Sequence, residues 1–122
     1  MISEQEVLNF AAASLRSVWA LETLLLLQRQ PKRNWRADEL LRELRSSQVV
    51  VADALDNLCN AGLVVEEEGP VYRYQPGSPG MDDFVTELGK VYAAKPMAVI
   101  RAVVTSPNKK LQILSDAFRI KE

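Results

Sequence analysis

The sequence contains no histidine and a single cysteine, Cys59. Histidine is the commonest general base and metal ligand in proteins, and one cysteine cannot form a disulfide within the chain. These absences exclude zinc clusters and hydrolases of the Ser-His or Cys-His type, and they favour a reducing, cytoplasmic setting. The sequence also lacks glycine-rich phosphate loops and a spaced pair of carboxylates. We therefore predict neither an enzyme nor a bound cofactor or metal.

Long apolar runs are lacking as well. The longest charge-free stretches near the N-terminus, residues 7–15 and 23–28, are far shorter than the ~20 apolar residues that a membrane-spanning helix needs. The first six residues are acidic, where a signal peptide would be basic. We therefore expect no contact with a membrane. With 122 residues, of which 48% are apolar and 25% charged, the chain is predicted to form one globular domain around one core.

Neither sign of charge is in excess, because 15 Lys and Arg face 16 Asp and Glu. The charges are nevertheless segregated along the chain. Residues 1–28 carry a net charge of -2, residues 29–45 carry +3, residues 46–87 carry -7 and residues 88–122 carry +5. Any attraction to nucleic acid or to anionic lipid must therefore be local.

Apolar residues recur at spacings of three and four over residues 4–30, which predicts one long N-terminal helix. Two shorter helices are predicted after it. The first covers residues 38–45, and the second begins at the N-cap Ser47 and runs to residue 61. Gly62 then supplies the left-handed residue that commonly ends a helix.

Two β-prone runs separated by a Gly-Pro pair predict a hairpin over residues 63–74. Residues 75–80, with two prolines and two glycines, form the only linker-like stretch. A further helix is expected from Met81, with a break or kink at Pro96. The apolar pattern resumes after this proline, and a last helix is expected over residues 107–118.

Two short helices, a tight turn, a glycine stop and a hairpin are the order of parts in a winged helix-turn-helix. Residues 35–74 resemble the DNA-binding half of bacterial winged-helix transcription regulators of the MarR-like kind. The residues that carry this resemblance are Asp38, Glu39, Leu40, Val51, Leu55, Leu58, Ala61, Gly62, Leu63 and Val64. The resemblance implies that the first short helix supports the second, that the second enters the major groove, and that the hairpin touches phosphates.

The expected fold is therefore mainly α with a small β-hairpin wing, a winged helix-turn-helix flanked by long N- and C-terminal helices. We expect a single domain over residues 1–122. Within it, residues 1–34 form the N-terminal helix, residues 35–76 the winged helix-turn-helix core, and residues 77–122 the C-terminal helices and a candidate dimerisation region.

The terminal helices carry more apolar side chains than a winged helix alone needs, and the resemblance assigns them to dimerisation. The expected homodimer contacts are Val7, Leu8, Leu15, Val103, Leu111, Leu114 and Phe118. The alternative is that these residues pack on one another within a single subunit.

The first functional hypothesis is a homodimeric transcription regulator that binds DNA through its second short helix. The cations expected to contact phosphate are Arg33, Arg36, Arg42, Arg45 and Arg73. Their alternative role is a solvated face that keeps the protein in solution. The candidate contacts on the helix are Ser47, Gln48, Val49, Val50, Asp53 and Asn57. Gln48 can read adenine, and Asn57 is expected to support it from the same outward face.

The same surface departs from the pattern of the resembling regulators. No Lys or Arg lies between Arg45 and Arg73, and Asp53 stands where such regulators often carry arginine. Residues 66–68 are all glutamate, in a wing that is normally basic. The regulator is the preferred prediction, but since Lys and Arg supply most nonspecific affinity for DNA, this surface also supports an alternative. It is a winged-helix module that engages a regulatory protein through an acidic and apolar helix and wing.

Overall fold

A computed structural model describes residues 1–105 of the protein. This part of the chain is mainly helical and holds one small antiparallel hairpin, as the sequence predicts. The elements, in chain order, are α1 (Glu4–Ser14), α2 (Val18–Arg29), α3 (Ala37–Leu44), α4 (Gln48–Asn60), β1 (Val64–Glu67), β2 (Val71–Tyr74), α5 (Pro79–Ala94) and α6 (Pro96–Val104). The predicted last helix, with Leu111, Leu114 and Phe118, lies outside the described residues.

The prediction of a single long N-terminal helix is wrong, because the chain bends by 110° between α1 and α2. Leu15 and Ser17 adopt extended backbone conformations, and the Ser17 hydroxyl accepts a 3.1 Å hydrogen bond from the N–H of Ala20 to begin α2. The apolar spacing continues across this corner because both helices bury one face in the same core. No single helix within residues 1–105 is long and apolar enough to span a membrane, and α1 with α2 reaches that length only as a bent pair.

The two short helices and the turn between them are confirmed as elements. α3 ends at Arg45, which adopts the left-handed conformation with φ 52° and ψ 47°. Ser47 caps α4, since its hydroxyl accepts a 3.3 Å hydrogen bond from the N–H of Val50. Gly62 has φ 77° and turns the chain from α4 into the hairpin, as predicted.

The predicted hairpin is confirmed, with Val64 of β1 opposite Tyr74 of β2. A feature that the sequence did not predict lies on the other side of β2. Trp35 and Tyr72 exchange two backbone hydrogen bonds of 2.7 Å, so the residue that precedes α3 extends the small sheet. This bridge ties the start of the helical pair to the hairpin.

The core is shared by two groups of helices that meet along α2. α2 packs against α4, β2 and α3, and it also contacts α6. α1 packs against α5 and α6, where the rings of Phe10 and Phe84 stack with centroids 5.1 Å apart. The predicted break at Pro96 is confirmed, because α5 ends before this proline and α6 begins at it.

Several residues expected at a dimer interface belong to the core of one subunit. Val7, Leu15 and Val103 are only 1%, 2% and 0% exposed, and Leu8 is half-buried against them. All four belong to or pack against the one hydrophobic core, in which α1 contacts α5 and α6. Val7, Leu15 and Val103 therefore agree with the intramolecular alternative, because their apolar surface is already removed from water within one chain.

Candidate functional site

The outer side of α4 is the most distinctive surface of the described chain. α4 buries Val51, Ala54, Leu55 and Leu58 against the core, and its other side is open to solvent. The exposed residues, called here the α4 face, are Gln48, Val49, Ala52, Asp53, Asp56 and Asn60. Val49 is 71% exposed, which is unusual for a branched apolar side chain, whereas Val50 is half-buried.

The acidic end of the α4 face adjoins the hairpin. Glu66 lies opposite Tyr72, on the side of the hairpin that is turned toward α4. Half-burial raises the pKa of the Cys59 thiol, and the charges of Glu66 and Asp56 raise it further. The carboxylates of both elements therefore surround one point of α4. Together with Asp53, Glu67 and Glu68 they form the acidic surface, which consists of Asp53, Asp56, Glu66, Glu67 and Glu68.

Cys59 itself is a half-buried thiol in surroundings that disfavour its thiolate form. A thiolate is stabilised by nearby positive charge, but the groups that act on Cys59 are a low-polarity environment and two carboxylates. Both disfavour ionisation.

The only cation of the hairpin is held by its neighbours. The guanidinium of Arg73 contacts the Glu67 carboxylate at 2.5 Å and donates a 2.6 Å hydrogen bond to the side-chain oxygen of Gln75. Arg73 is also half-buried. Contact with a phosphate would require Arg73 to leave these partners, so the hairpin presents net negative charge.

The remaining candidate cations cluster around the start of α3. The guanidinium of Arg33 lies 3.5 Å above the ring centre of Trp35 and contacts Glu39 at 3.2 Å. Arg36 and Arg42 each contact one oxygen of Asp38 at 3.4 Å. Exposed ion pairs of this kind are weak, so each arginine can exchange its carboxylate partner for another anion.

Arg45 occupies the corner between α3 and α4. It has no ion-pair partner within residues 1–105, and neither do Arg29 and Lys32 near the end of α2. The structure therefore keeps the basic cluster close to the turn of the helical pair, but it brings acidic partners to Arg33, Arg36 and Arg42.

Asn57 was expected on the outward face of α4, and this prediction is wrong. It is only 5% exposed and lies on the inner side of α4. Its side-chain oxygen accepts a 2.8 Å hydrogen bond from the N–H of Arg16, and its amide nitrogen donates a 2.9 Å hydrogen bond to the carbonyl of Ser14. Both functions of the amide are therefore used at the corner between α1 and α2. The spacing of three from Ala54 was the available signal, since it places both residues on one helix face.

An open cleft lies between the end of α2, the segment after β2, and α5. This open cleft has a volume of about 1030 Å³. The hydroxyl of Tyr74 donates a 2.5 Å hydrogen bond to Asp82 at its wall, and burial followed by this bond raises the pKa of Tyr74. Gln28 donates a 3.1 Å hydrogen bond to Thr86 across the cleft. These bonds join α5 to α2 and β2.

No family model, curated protein or solved structure matches the chain. The features of the described residues that bear on function are their charges and their exposure to solvent. They comprise an α4 face with an apolar centre, an acidic hairpin, and a basic cluster that is partly ion-paired.

Proposed function

We propose that the segment from α2 to β2 is a winged helix-turn-helix that acts as a protein-interaction module. The order of α3, a tight turn, α4, a glycine stop and a hairpin supports this architecture. The bridge between Trp35 and Tyr72 supports it too, because it holds the hairpin against the start of the helical pair. The module would present the α4 face and the acidic surface together.

The observation that carries the proposal is the acidic and apolar character of the α4 face. Asp53 and Asp56 are exposed on it, and residues 46–72 contain no Lys or Arg. Binding to the DNA backbone depends on cations that replace condensed counterions, and exposed carboxylates oppose it. A protein partner meets no such repulsion.

The chemistry of the surface also defines the partner. Val49 and Ala52 are exposed at the N-terminal part of α4, and the acidic surface lies beside them. A partner that buries these apolar side chains and places Lys or Arg around them would satisfy both parts of the surface. We therefore propose a regulatory protein with a basic contact surface as the partner.

The test compares a labelled peptide of sequence Lys-Val-Arg-Val-Lys-Val with a labelled mixed-sequence DNA duplex by fluorescence anisotropy at low and moderate salt. We expect the peptide to bind, and its binding to weaken as salt rises. Asp53→Asn should lower the affinity several-fold. The matched control, Asp83→Asn, removes the same charge from an exposed site on α5 and should leave the affinity unchanged.

A transcription regulator that binds DNA is the second candidate. The specific observation in its favour is that Arg29, Lys32 and Arg45 lack ion-pair partners in the described part of the chain. Duplex binding in the micromolar range that weakens steeply with salt, and that is lost in a variant with Arg36, Arg42 and Arg45 replaced by Ala, would overturn the protein-interaction proposal. The same result would establish phosphate contacts.

A further inference from the structure

The outer edge of β1 offers backbone groups for pairing. Gln75 donates a 3.0 Å backbone hydrogen bond to Leu63, so this pair belongs to the bonded set of the antiparallel ladder. Bonded and non-bonded pairs alternate, which puts Val65 with Arg73 in the bonded set and Glu66 with Tyr72 in the other. The N–H and C=O of Glu66 therefore point away from β2.

The hydrogen bonds on the other side of β2 agree with this alternation of bonded and non-bonded pairs. Tyr72 also belongs to a non-bonded pair, and its N–H and C=O are turned away from β1 toward Trp35, with which they make two 2.7 Å hydrogen bonds. Glu66 has no counterpart to Trp35. Within residues 1–105, no hydrogen bond reaches its backbone N–H or C=O, and the residue is exposed.

An uncovered strand edge is a template for another extended chain, and charge decides which chain it accepts. Glu66 is an exposed carboxylate of this strand, Glu68 follows the strand, and Glu67 pairs with Arg73 across the hairpin. Asp56 of α4 acts on the same thiol as Glu66, that of Cys59, so these two carboxylates lie near each other. A second copy of this edge would bring like charges opposite each other, which destabilises pairing. An extended segment with Lys or Arg at alternate positions would instead place cations against Glu66.

We infer that the partner binds by adding an extended, basic segment as a strand to the outer edge of β1, with Lys or Arg directly opposite Glu66. This inference rests on the proposed function, because it assumes that the partner is a basic protein. It specifies the mode of recognition. Backbone hydrogen bonds at Glu66 supply the pairing, and the carboxylates of the acidic surface select the basic sequence.

The inference makes a positional prediction about the probe. In a bonded antiparallel pair, the two opposite residues exchange both of their backbone hydrogen bonds. If Lys or Arg stands opposite Glu66, the N–H groups of the basic residues face β1 and those of the valines face solvent. N-methylation of the Lys and Arg residues of Lys-Val-Arg-Val-Lys-Val should therefore weaken binding by about tenfold or more, whereas N-methylation of the valines should not.

The experiment measures the affinities of the three peptides by anisotropy, together with hydrogen exchange of the Glu66 amide by NMR. We expect this amide to exchange fast in the free protein and to become at least about tenfold protected by the unmethylated peptide. Equal affinities of all three peptides, with the Glu66 amide still exchanging fast, would overturn strand addition but leave the proposed function standing. Failure of the unmethylated peptide to bind at all would overturn both.

Discussion

The side-chain oxygen of Asn57 accepts a 2.8 Å hydrogen bond from the backbone N–H of Arg16, a residue 41 positions earlier in the chain. The same amide donates to the carbonyl of Ser14 at 2.9 Å. Both partners lie at the corner where α1 turns into α2. One buried side chain therefore satisfies the backbone of the corner and fixes the rotation of α4, which determines the residues presented on the α4 face.

Replacement of Asn57 by Ala should lower the free energy of unfolding by about 1–3 kcal/mol, because it removes two part-buried hydrogen bonds, to the N–H of Arg16 and to the carbonyl of Ser14. Urea denaturation would measure the change. Asn60→Ala, at an exposed position of the same helix, is the control and should change stability by less than about 0.5 kcal/mol. Equal effects of the two substitutions would show that the corner does not depend on the Asn57 amide.

Leu15 provides a test of the intramolecular core. It is 2% exposed, so Leu15→Ala should cost about 2–5 kcal/mol in the free energy of unfolding while the molar mass of the folded protein in solution stays unchanged. Val104→Ala, at a site that is 40% exposed, should cost much less. Light scattering coupled to size exclusion would detect the opposite outcome, a folded Leu15 variant of lower molar mass, which would indicate an interface between subunits.

Tyr92 links stability to alkaline pH. Its hydroxyl donates a 2.6 Å hydrogen bond to Glu22, and this bond, followed by burial, raises the pKa of Tyr92 from 10.0 to about 12. The unfolded chain therefore loses this proton first, so the stabilisation is complete below pH 10 and is lost as the pH rises toward 12. We expect the stability difference between the wild type and Tyr92→Phe to shrink across this window. Denaturation at a series of pH values would measure this difference, and a difference that stays constant would contradict the linkage.

Glu39 links stability to acidic pH with the opposite sign. The hydrogen bond that it accepts from the backbone N–H of Arg36 lowers the pKa of Glu39 below 4.5, and Arg33 lowers it further. Its stabilisation is therefore complete above pH 4.5 and is lost as the pH falls from there through the lowered pKa of the folded protein. Glu39→Gln should flatten the acid side of the stability profile, whereas Glu43→Gln, on the exposed side of α3, should retain the wild-type slope.

Features with local physical causes were predictable from the sequence. A serine cap, a left-handed glycine and a proline act within about one helical turn, and so α4, its end at Gly62 and the break at Pro96 lie where the sequence placed them. The hairpin follows from two β-prone runs around a turn. α5 begins at Pro79, two residues earlier than expected, because Ser78 caps it.

The residue types and exposure of the candidate site could also be predicted from the sequence. The absence of Lys and Arg between Arg45 and Arg73, the exposure of Val49 and the three glutamates of the hairpin follow from residue type and helical or strand spacing. The ion pair between Arg73 and Glu67 could not be predicted from the sequence, because a contact across two strands depends on their register as well as on the two residue types.

By itself, the sequence determined where most helices and strands begin and end, and which surface carries negative charge, because those properties depend on neighbours within a few residues. Only the tertiary structure decided that the N-terminal helix bends by 110°, that Trp35 bridges to Tyr72, and that Asn57 is buried at the corner. Each of these depends on groups that are distant in sequence. Apolar spacing shows that a face is buried, but the element that covers this face is selected by packing of the whole chain.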